Sequence, residues 1–577
     1  MCAIAGWMGT DQHPGGRARV EEMLRVQKHR GPDGSGVLRD GATAIGHRRL
    51  AILGLGDAGR QPMTSHDGRW SMVFNGEIFN YRELRAELPG EFHSGTDTEV
   101  LLEGIAAWGV AEALSLAAGM FALAIWDHRE RELTLARDRL GEKPLVYYHA
   151  GRTLAFASEM KALRGFHGGI LDPLAVDAYL ALGYVPAPLA IFRGCRKLGP
   201  GHMLRMRQGG EPRVSRWWCT ARAAVRAKLP AEGEFDRRVS LREQMAGAVR
   251  QRLRADVPIA LSLSGGVDSS AIAAECVRQG AAPEAFTLRF EGEPGDVGAA
   301  RAVARHLGLR HQVVEESGAW RGMEDIVRHY DEPFADSSAI PSLALARALA
   351  GRYKVVLTGD GGDEVFGGYR HYQYIRGKQA LKAAAAALGW CDGGQSGPAG
   401  LYVQSKAIFR ARERNRLLNG HGLGNSLDGL TLSAPPERTL AGAMWVDRHL
   451  ALANGLNYKT DIAYGAYGIE GRAPFLDHRV GEWAERLGPQ EMVRGREKKI
   501  VLRAAYAGDL PAAVLNRPKQ GFGAPIGEWL RGPLRELARD MLPCPLLDYK
   551  LQSGRSGQQL WTLLLFAQWA REWRGSW

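Results

Sequence analysis

Two periodicities divide the chain. Over residues 17–29 and 97–108 apolar side chains recur at helical spacing, which predicts helices with one buried face. Met120–Asp127 and Glu132–Arg137 are apolar runs on either side of a polar turn, the pattern of a β-hairpin. Beyond residue 236 the pattern changes. A basic amphipathic helix over 236–254 leads into an apolar run from Val257 to Leu263, which reads as a buried parallel strand. Alternation follows: strand 285–290, helix 297–308, strand 311–315, helix 340–350, strand 354–358. Strands alternating with helices imply a parallel sheet whose ligands lie at the carboxyl ends of the strands. Residues 378–440, with Ala383–Ala387 and a Gly-rich stretch over 393–400, are expected to form a helix and a mobile loop, and Leu560–Phe566 a core helix.

A chain of 577 residues is too long for one core. The change of period places an amino-terminal domain at 1–210, a linker at 211–240 and a second domain at 241–577. Hydrophobic content of 45% and charged content of 24% are those of a globular protein. The net charge is +12, but arginines are spread along the chain, which favours a solvated surface with phosphate sites over nucleic acid as a partner. Cysteines at 2, 195, 219, 276, 391 and 544 include no CxxC pair, so neither a zinc ribbon nor a disulfide framework is expected. No charged region followed by an apolar run opens the chain, and Leu560–Ala570 is too short to span a bilayer. A cytoplasmic protein without membrane contact is the expectation.

The densest chemistry follows the strand ending near Leu263. Ser264-Gly265-Gly266-Val267-Asp268-Ser269-Ser270 lies between a strand and a predicted helix. Two glycines permit a sharp turn and close approach to a ligand. The helix N-terminus then offers free N–H groups and a positive dipole end to an anion, and three hydroxyls add donors. Asp268 suits an anion site only if a divalent cation is present. The string lacks the Walker lysine; it resembles the pyrophosphate loop of ATP pyrophosphatases, which cleave ATP between its α and β phosphates.

At the other end, Cys2 becomes the terminal residue if Met1 is removed. One residue would then hold a thiol nucleophile and an α-amine, whose pKa of about 7.7–8.0 suits a general base. A small buried residue at a strand start is the plainer alternative. Gly54-Leu55-Gly56-Asp57-Ala58-Gly59 matches a dinucleotide fingerprint but is followed by Arg60-Gln61-Pro62 rather than a helix, so it is read as a loop. Arg49 at a strand head, Asn75-Gly76-Glu77 and Asp97 together offer a cation, amide and backbone donors and carboxylates. A glutamine ligand needs these for its α-carboxylate, its oxyanion and its α-ammonium.

Met1-Cys2, Arg30–Asp33, Gln61–Met63, Asn75–Ile78, Thr96–Glu99 and Arg137–Leu145 resemble a class II glutamine amidotransferase domain. With the pyrophosphate loop, the whole chain resembles the glutamine-hydrolysing asparagine synthetase family. That resemblance implies an N-terminal-nucleophile αββα domain, two antiparallel sheets between helices, joined to an ATP-pyrophosphatase α/β domain. It implies Cys2 as nucleophile, Asn75 and Gly76 as oxyanion hole, and a glutamine pocket of Arg49, Leu50, Ala51, Ile52, Leu53, Asn75, Gly76, Glu77 and Asp97. It implies ATP contacts from Leu263, Ser264, Gly265, Gly266, Asp268, Ser269, Ser270, Leu288, Thr358 and Gly359, and magnesium on Asp268 and Asp363. Asp360 is placed beside an acyl-adenylate and Lys519, in Arg517–Gly523, at the phosphates. Lys459–Asp461 and Gly468–Asp477 match the same signature. Ala3 and Asp360 depart from it, where members often carry Gly and Glu.

The implied reaction is ATP-driven amidation of a carboxylate, with ammonia passed from glutamine hydrolysis, giving AMP, pyrophosphate and glutamate. Aspartate is the family's default acceptor, which would make asparagine. Another carboxylate in a natural-product or polysaccharide pathway, an intramolecular amide-forming cyclase, an RNA-binding thiolase and a non-catalytic ammonia-binding scaffold are the competing readings. The cyclases generally lose the glutaminase residues kept here, and the thiolase needs cysteines near the loop, where only Cys276 lies. ATP, magnesium and glutamine are the expected small molecules; a homodimer is compatible with the sequence.

Overall fold

The structure is a computed structural model describing residues 1–9, 16–219, 237–291, 297–374, 402–403, 405–418, 440–518, 523–542 and 557–574. The amino-terminal domain carries β1 (Ala3–Met8), β2 (Gly34–Asp40), β3 (Thr43–Arg49), β4 (Met63–Thr64), β5 (Trp70–Ile78) and β6 (Gly119–Asp127). It continues with β7 (Glu132–Arg137), β8 (Val146–Ala150), β9 (Thr153–Ala157), β10 (Cys195–Lys197), β11 (His202–Arg207) and β12 (Arg213–Arg216). They form two six-stranded sheets, ordered β10-β8-β9-β1-β3-β2 and β12-β11-β7-β6-β5-β4. Pairings within both are antiparallel. Ile4, Met8 and Ile45 of one sheet and Val73, Ala122, Ala124 and Leu135 of the other share one core cluster. That cluster holds the sheets together face to face, since strand side chains alternate and one set of each sheet must be buried. On the outer faces, helix Gly16–Arg25 packs Val20, Met23 and Leu24 near Trp7, and helix Asp97–Trp108 packs Val100, Leu101 and Ile105 near Phe74 and Phe121. The result is the helix–sheet–sheet–helix layering that the family resemblance implies.

The hairpin of β6 and β7 pairs Asp127 with Glu132, as the patterning predicts. The predicted helix over 17–29 ends at Arg25 and passes into turns. The stretch expected to be linker begins differently: Arg213–Arg216 pairs with β11 as the sheet's edge strand. The Trp217 ring then stacks on Phe121 at 6.1 Å between centroids. Exposed polar residues on an edge strand look like linker in sequence, because only one side of such a strand is paired.

The second domain is built on β13 (Ile259–Ser262), β14 (Glu284–Phe290), β15 (His311–Glu316), β16 (Val355–Leu357) and β17 (Glu470–Arg472), in the order β15-β14-β13-β16-β17. Every pairing in it is parallel. Order reverses beside β13, since β14 lies on one side and β16 on the other; such a switch point opens a crevice at the strands' carboxyl ends. Helices Arg237–Arg252, Val267–Arg278, Val297–Leu307 and Ala339–Leu349 cover the sheet. Helix Gly557–Arg574 buries Leu560, Trp561, Leu564, Leu565 and Trp569 in a core shared with the first domain. No helix among the described residues is long and apolar enough to cross a membrane. The Ala-rich and Gly-rich stretches over 383–400 lie outside the described residues; of the remainder of 378–440, Ala411–Leu417 is helical.

Candidate functional site

Cys2 precedes β1, whose pairing with β3 sets Ala3 opposite Arg48. That register brings the start of the chain against the end of β3. The Leu50 N–H lies 3.4 Å from Cys2 Sγ, and Cys2 packs with Leu50, Ile52, Val257, Ile259 and Val355. The last three belong to the second domain, so the thiol sits at the interface between domains. Burial pushes its pKa up. Met1 is buried, its side chain set among Ala260, Phe286, Leu345, Val356, Tyr464 and Ile469 of the second domain. Burial also brings the Met1 amine down to about 5.

The facing sheet supplies Asn75, Gly76 and Glu77 from β5, opposite Ala122, Phe121 and Met120 of β6. Asn75 is fully buried, and neither its Nδ2 nor its Oδ1 has a hydrogen-bond partner among the described residues. An unpaired buried amide costs about 1–3 kcal/mol, a cost that a ligand oxygen at Nδ2 would remove. A Cβ on Gly76 would lie 2.1 Å from the Met120 carbonyl oxygen, so only glycine fits. Asp97, first residue of its helix, accepts from the Ile78 N–H at 2.7 Å through Oδ2. Burial raises its pKa to about 7. Burial and the nearby Asp97 raise Glu77 well above the carboxylate range, although Arg472 opposes the shift.

Arg49, expected as the cation for an α-carboxylate, donates through Nη1 to Gly56 O at 2.6 Å and through Nη2 to the carbonyls of Leu53 and Gly54. It fastens the loop Leu50–Gly56, whose Leu50, Ala51, Ile52 and Leu53 are buried. The fingerprint-like glycines fall in this loop and the 3₁₀ turn Asp57–Gly59, with no helix after them.

In the second domain the loop after β13 turns at Gly265, with φ +72°. Ser269 Oγ accepts from the Ser264 N–H at 3.2 Å, and the two hydroxyls are 3.1 Å apart. Gly266 is the N-cap of helix Val267–Arg278. The neighbouring β16 ends in Thr358-Gly359-Asp360-Gly361-Gly362-Asp363, and the two loops touch. A Cβ on Gly359 would be 3.1 Å from Ser269 N, and one on Gly362 would be 2.7 Å from Asp268 Cγ. The two loops expected to face one another therefore lie in contact, at the carboxyl ends of the adjacent parallel strands β13 and β16. Asp360 Oδ2 accepts from Thr358 Oγ1 at 2.8 Å and from Thr460 Oγ1 at 3.2 Å. Leu263 and Ser270 are buried beneath the loop, and Leu288 is half-buried on β14. Lys519 lies outside the described residues.

Three residues escaped the sequence reading. Lys499 is held at φ +54°, uncommon for a lysine. Its ammonium bridges Asp268 and Asp363, 2.6 Å from Asp363 Oδ1. Two carboxylates that converge on one cation form a hard-oxygen donor set of the kind magnesium takes with a phosphate-bearing substrate. Arg30 is fully buried between the domains, 2.6 Å from Asp461 and 3.1 Å from Glu159, and donates to the Cys2 carbonyl at 3.1 Å. Arg472, on β17, meets Glu77 of the first domain at 3.0 Å. Arg30 and Arg472 stand inside the sequence strings already singled out, but only the fold shows what they bridge. For Lys499, in a run of basic and acidic residues, no spacing marks it.

The comparisons agree with this geometry. The family model "Glutamine amidotransferase domain" matches residues 1–218, and "Asparagine synthase" matches residues 240–571. The chain is 30% identical to asparagine synthetase [glutamine-hydrolyzing] 1 of Bacillus subtilis, covering 99% of this chain and 96% of that one. It is 28% identical to asparagine synthetase [glutamine-hydrolyzing] 3 of the same organism, over 92% and 89%. It is also 28% identical to amidase chry2 of Gibberella zeae, over 94% and 92%. The two matched ranges follow the two-sheet sandwich and the parallel-sheet domain in order. The chain belongs to the asparagine synthase family, as an enzyme with an amino-terminal glutamine amidotransferase domain.

Proposed function

We propose that this enzyme is a glutamine-dependent asparagine synthetase, converting aspartate, ATP and glutamine to asparagine, AMP, pyrophosphate and glutamate. The observation that carries the reading is the place of Cys2. It packs against Val257 and Ile259, at the entry to β13, and the other end of β13 opens into the Ser-Gly-Gly loop. From Ile259 to Ser264 is five residues of extended chain, about 17 Å at ~3.3 Å each. A thiol that makes ammonia and a loop that holds ATP phosphates would thus be joined through one strand's length of protein. Met1 lies along that strand, among apolar side chains; its excision would free the Cys2 amine and vacate apolar space. Ammonia kept from bulk water there stays unprotonated and nucleophilic.

The steps follow from the groups in place. Glutamine enters the pocket of Arg49, Leu50–Leu53, Glu77 and Asp97, its ammonium restoring charge to carboxylates that burial had raised. A thiol with a raised pKa needs a base, which the freed α-amine of the same residue supplies. Sγ attacks the carboxamide, the oxyanion meets Asn75 Nδ2 and the Gly76 N–H, ammonia leaves, and water releases glutamate from the thioester. In the second domain an aspartate carboxylate attacks the α-phosphorus of ATP. Pyrophosphate leaves onto Ser264, Gly265, Gly266, Ser269 and the helix N-terminus, with Lys499 and Lys519 as its cations. Thr358, Gly359 and Leu288 border the nucleotide. Magnesium held by Asp268 and Asp363 would neutralise charge on the departing phosphates. Asp360, fixed by Thr358 and Thr460, accepts a proton as ammonia attacks the acyl-adenylate.

The test is product analysis with purified protein, glutamine, ATP, magnesium and aspartate. AMP, pyrophosphate and asparagine in equal amounts support the reading; ADP and phosphate would refute it. A second reading, the same chemistry on a different carboxylate, is favoured by the amidase-named relative. ATP–pyrophosphate exchange that responds to another acid and not to aspartate would establish it.

A further inference from the structure

Arg472 belongs to the second domain, yet its guanidinium ends in the first. It is fully buried, and its donors are committed. Nε donates to Glu470 Oε1 at 2.8 Å, and Nη1 to the carbonyls of Arg252 at 2.9 Å and Arg254 at 2.7 Å. Nη2 donates to Glu77 Oε2 at 3.0 Å. Three acceptors from the second domain leave the fork no freedom to rotate, so it presents Nη2 at one place. Glu77 is thereby gripped by one oxygen, while its other, Oε1, is buried and has no hydrogen-bond partner among the described residues.

The base of the side chain is equally fixed. β17 pairs with β16, Leu357 opposite Arg472, and the Arg472 carbonyl accepts from the Thr358 N–H at 2.9 Å. Thr358 in turn holds Asp360. One residue therefore reaches from the adenylation loop to the glutamine pocket.

We propose that Arg472 is a positioning residue of the glutamine site: anchored in the synthetase sheet, it aims the Glu77 carboxylate so that its free oxygen meets the substrate's α-ammonium. This rests on the glutamine-dependent reading above. Without the fork, Glu77 would face Asp97 and Glu470 in a buried space with less positive charge nearby; its carboxyl, already raised by burial and Asp97, would hold its proton still more tightly, and the ammonium would have to displace that proton unaided. The pocket is therefore complete only when the two domains are docked.

The experiment uses full-length Arg472→Gln and Arg472→Lys, reading glutamate release against glutamine concentration from pH 6 to 9. In Arg472→Gln the KM for glutamine is expected to rise at least tenfold, with kcat changing less than threefold. That KM should fall as pH rises, because Glu77 must then lose its proton without help; the unaltered enzyme should show a shallower trend. Arg472→Lys, which keeps the charge but not the fork, should lie between. Cys2 alkylation by iodoacetamide should proceed at the unaltered rate, which a general loosening of the interface would not allow. If Arg472→Gln melts at a much lower temperature, Arg472→Lys carries the same comparison. A KM within twofold of the unaltered enzyme in a folded variant would overturn the proposal. Absence of glutamate release from the unaltered enzyme would instead remove the glutamine-dependent reading itself.

Discussion

Lys499→Met removes the cation between Asp268 and Asp363 while keeping most of the side chain's volume. The lysine side chain is 6% exposed and each carboxylate 19%, so the trio is largely withdrawn from water. At an effective dielectric of ~20, each attraction at ~4 Å is about 4 kcal/mol, offset by several kcal/mol of lost hydration. Removing one partner of a buried pair costs about 3–5 kcal/mol; with these carboxylates partly wet, about 3 kcal/mol is expected. Spread over residues 240–571 at ~2.1 cal/mol/K per residue, that lowers the melting temperature by about 4 °C. The chemical effect should be larger. Loss of one preorganised charge at a transition state costs about 10²–10³ in rate, so ATP–pyrophosphate exchange with aspartate should fall by that factor while glutaminase activity stays intact. Magnesium should restore thermal stability to the variant more than to the unaltered enzyme, because two carboxylates freed of their lysine bind it more tightly. Exchange retained within tenfold, or equal stabilisation of both proteins by magnesium, would refute the account of Lys499.

Cys2→Ala should abolish glutamine-dependent synthesis and leave ammonia-dependent synthesis in place; loss of both in a folded variant would break the two-site scheme. Asp97→Asn should trade binding for stability. The folded pKa of Asp97 is raised to about 7, against ~3.9 unfolded. The folded state thus binds the extra proton between those values, and stability falls as pH rises through that window. By pH 8 the deficit is at most about 4 kcal/mol, at ~1.36 kcal/mol per unit. Denaturant titrations should therefore find Asp97→Asn more stable than the unaltered enzyme at pH 8 and equal to it at pH 4, with a higher KM for glutamine. Gly265→Ala should raise the KM for ATP in pyrophosphate exchange at least tenfold, since φ is +72° and the new Cβ would lie 2.5 Å from Ala300 N; an unchanged KM would mean the loop does not grip phosphate.

Much of this protein is written locally. Strand and helix periods, and the glycines that let a chain turn at positive φ, depend on neighbours a few residues apart. So the β6–β7 hairpin, the alternation from 257 to 358 and the loop at Gly265 were readable before any fold. The edge strand Arg213–Arg216 was not, because its partner alone distinguishes it from linker. The same limit governs the sites. Cys2, Asn75, Asp97, Asp268 and Asp363 stand in strings whose residue types already suggest chemistry. That Arg30 joins Asp461 across 431 positions, that Arg472 reaches Glu77 across 395, and that Lys499 bridges Asp268 across 231 follows from no pattern in the chain. The first two pairs are decided by how the two domains dock and the third by how loops of the second domain pack together, and burial sets both the strength of such pairs and the shifted protonation of the carboxylates they leave uncompensated.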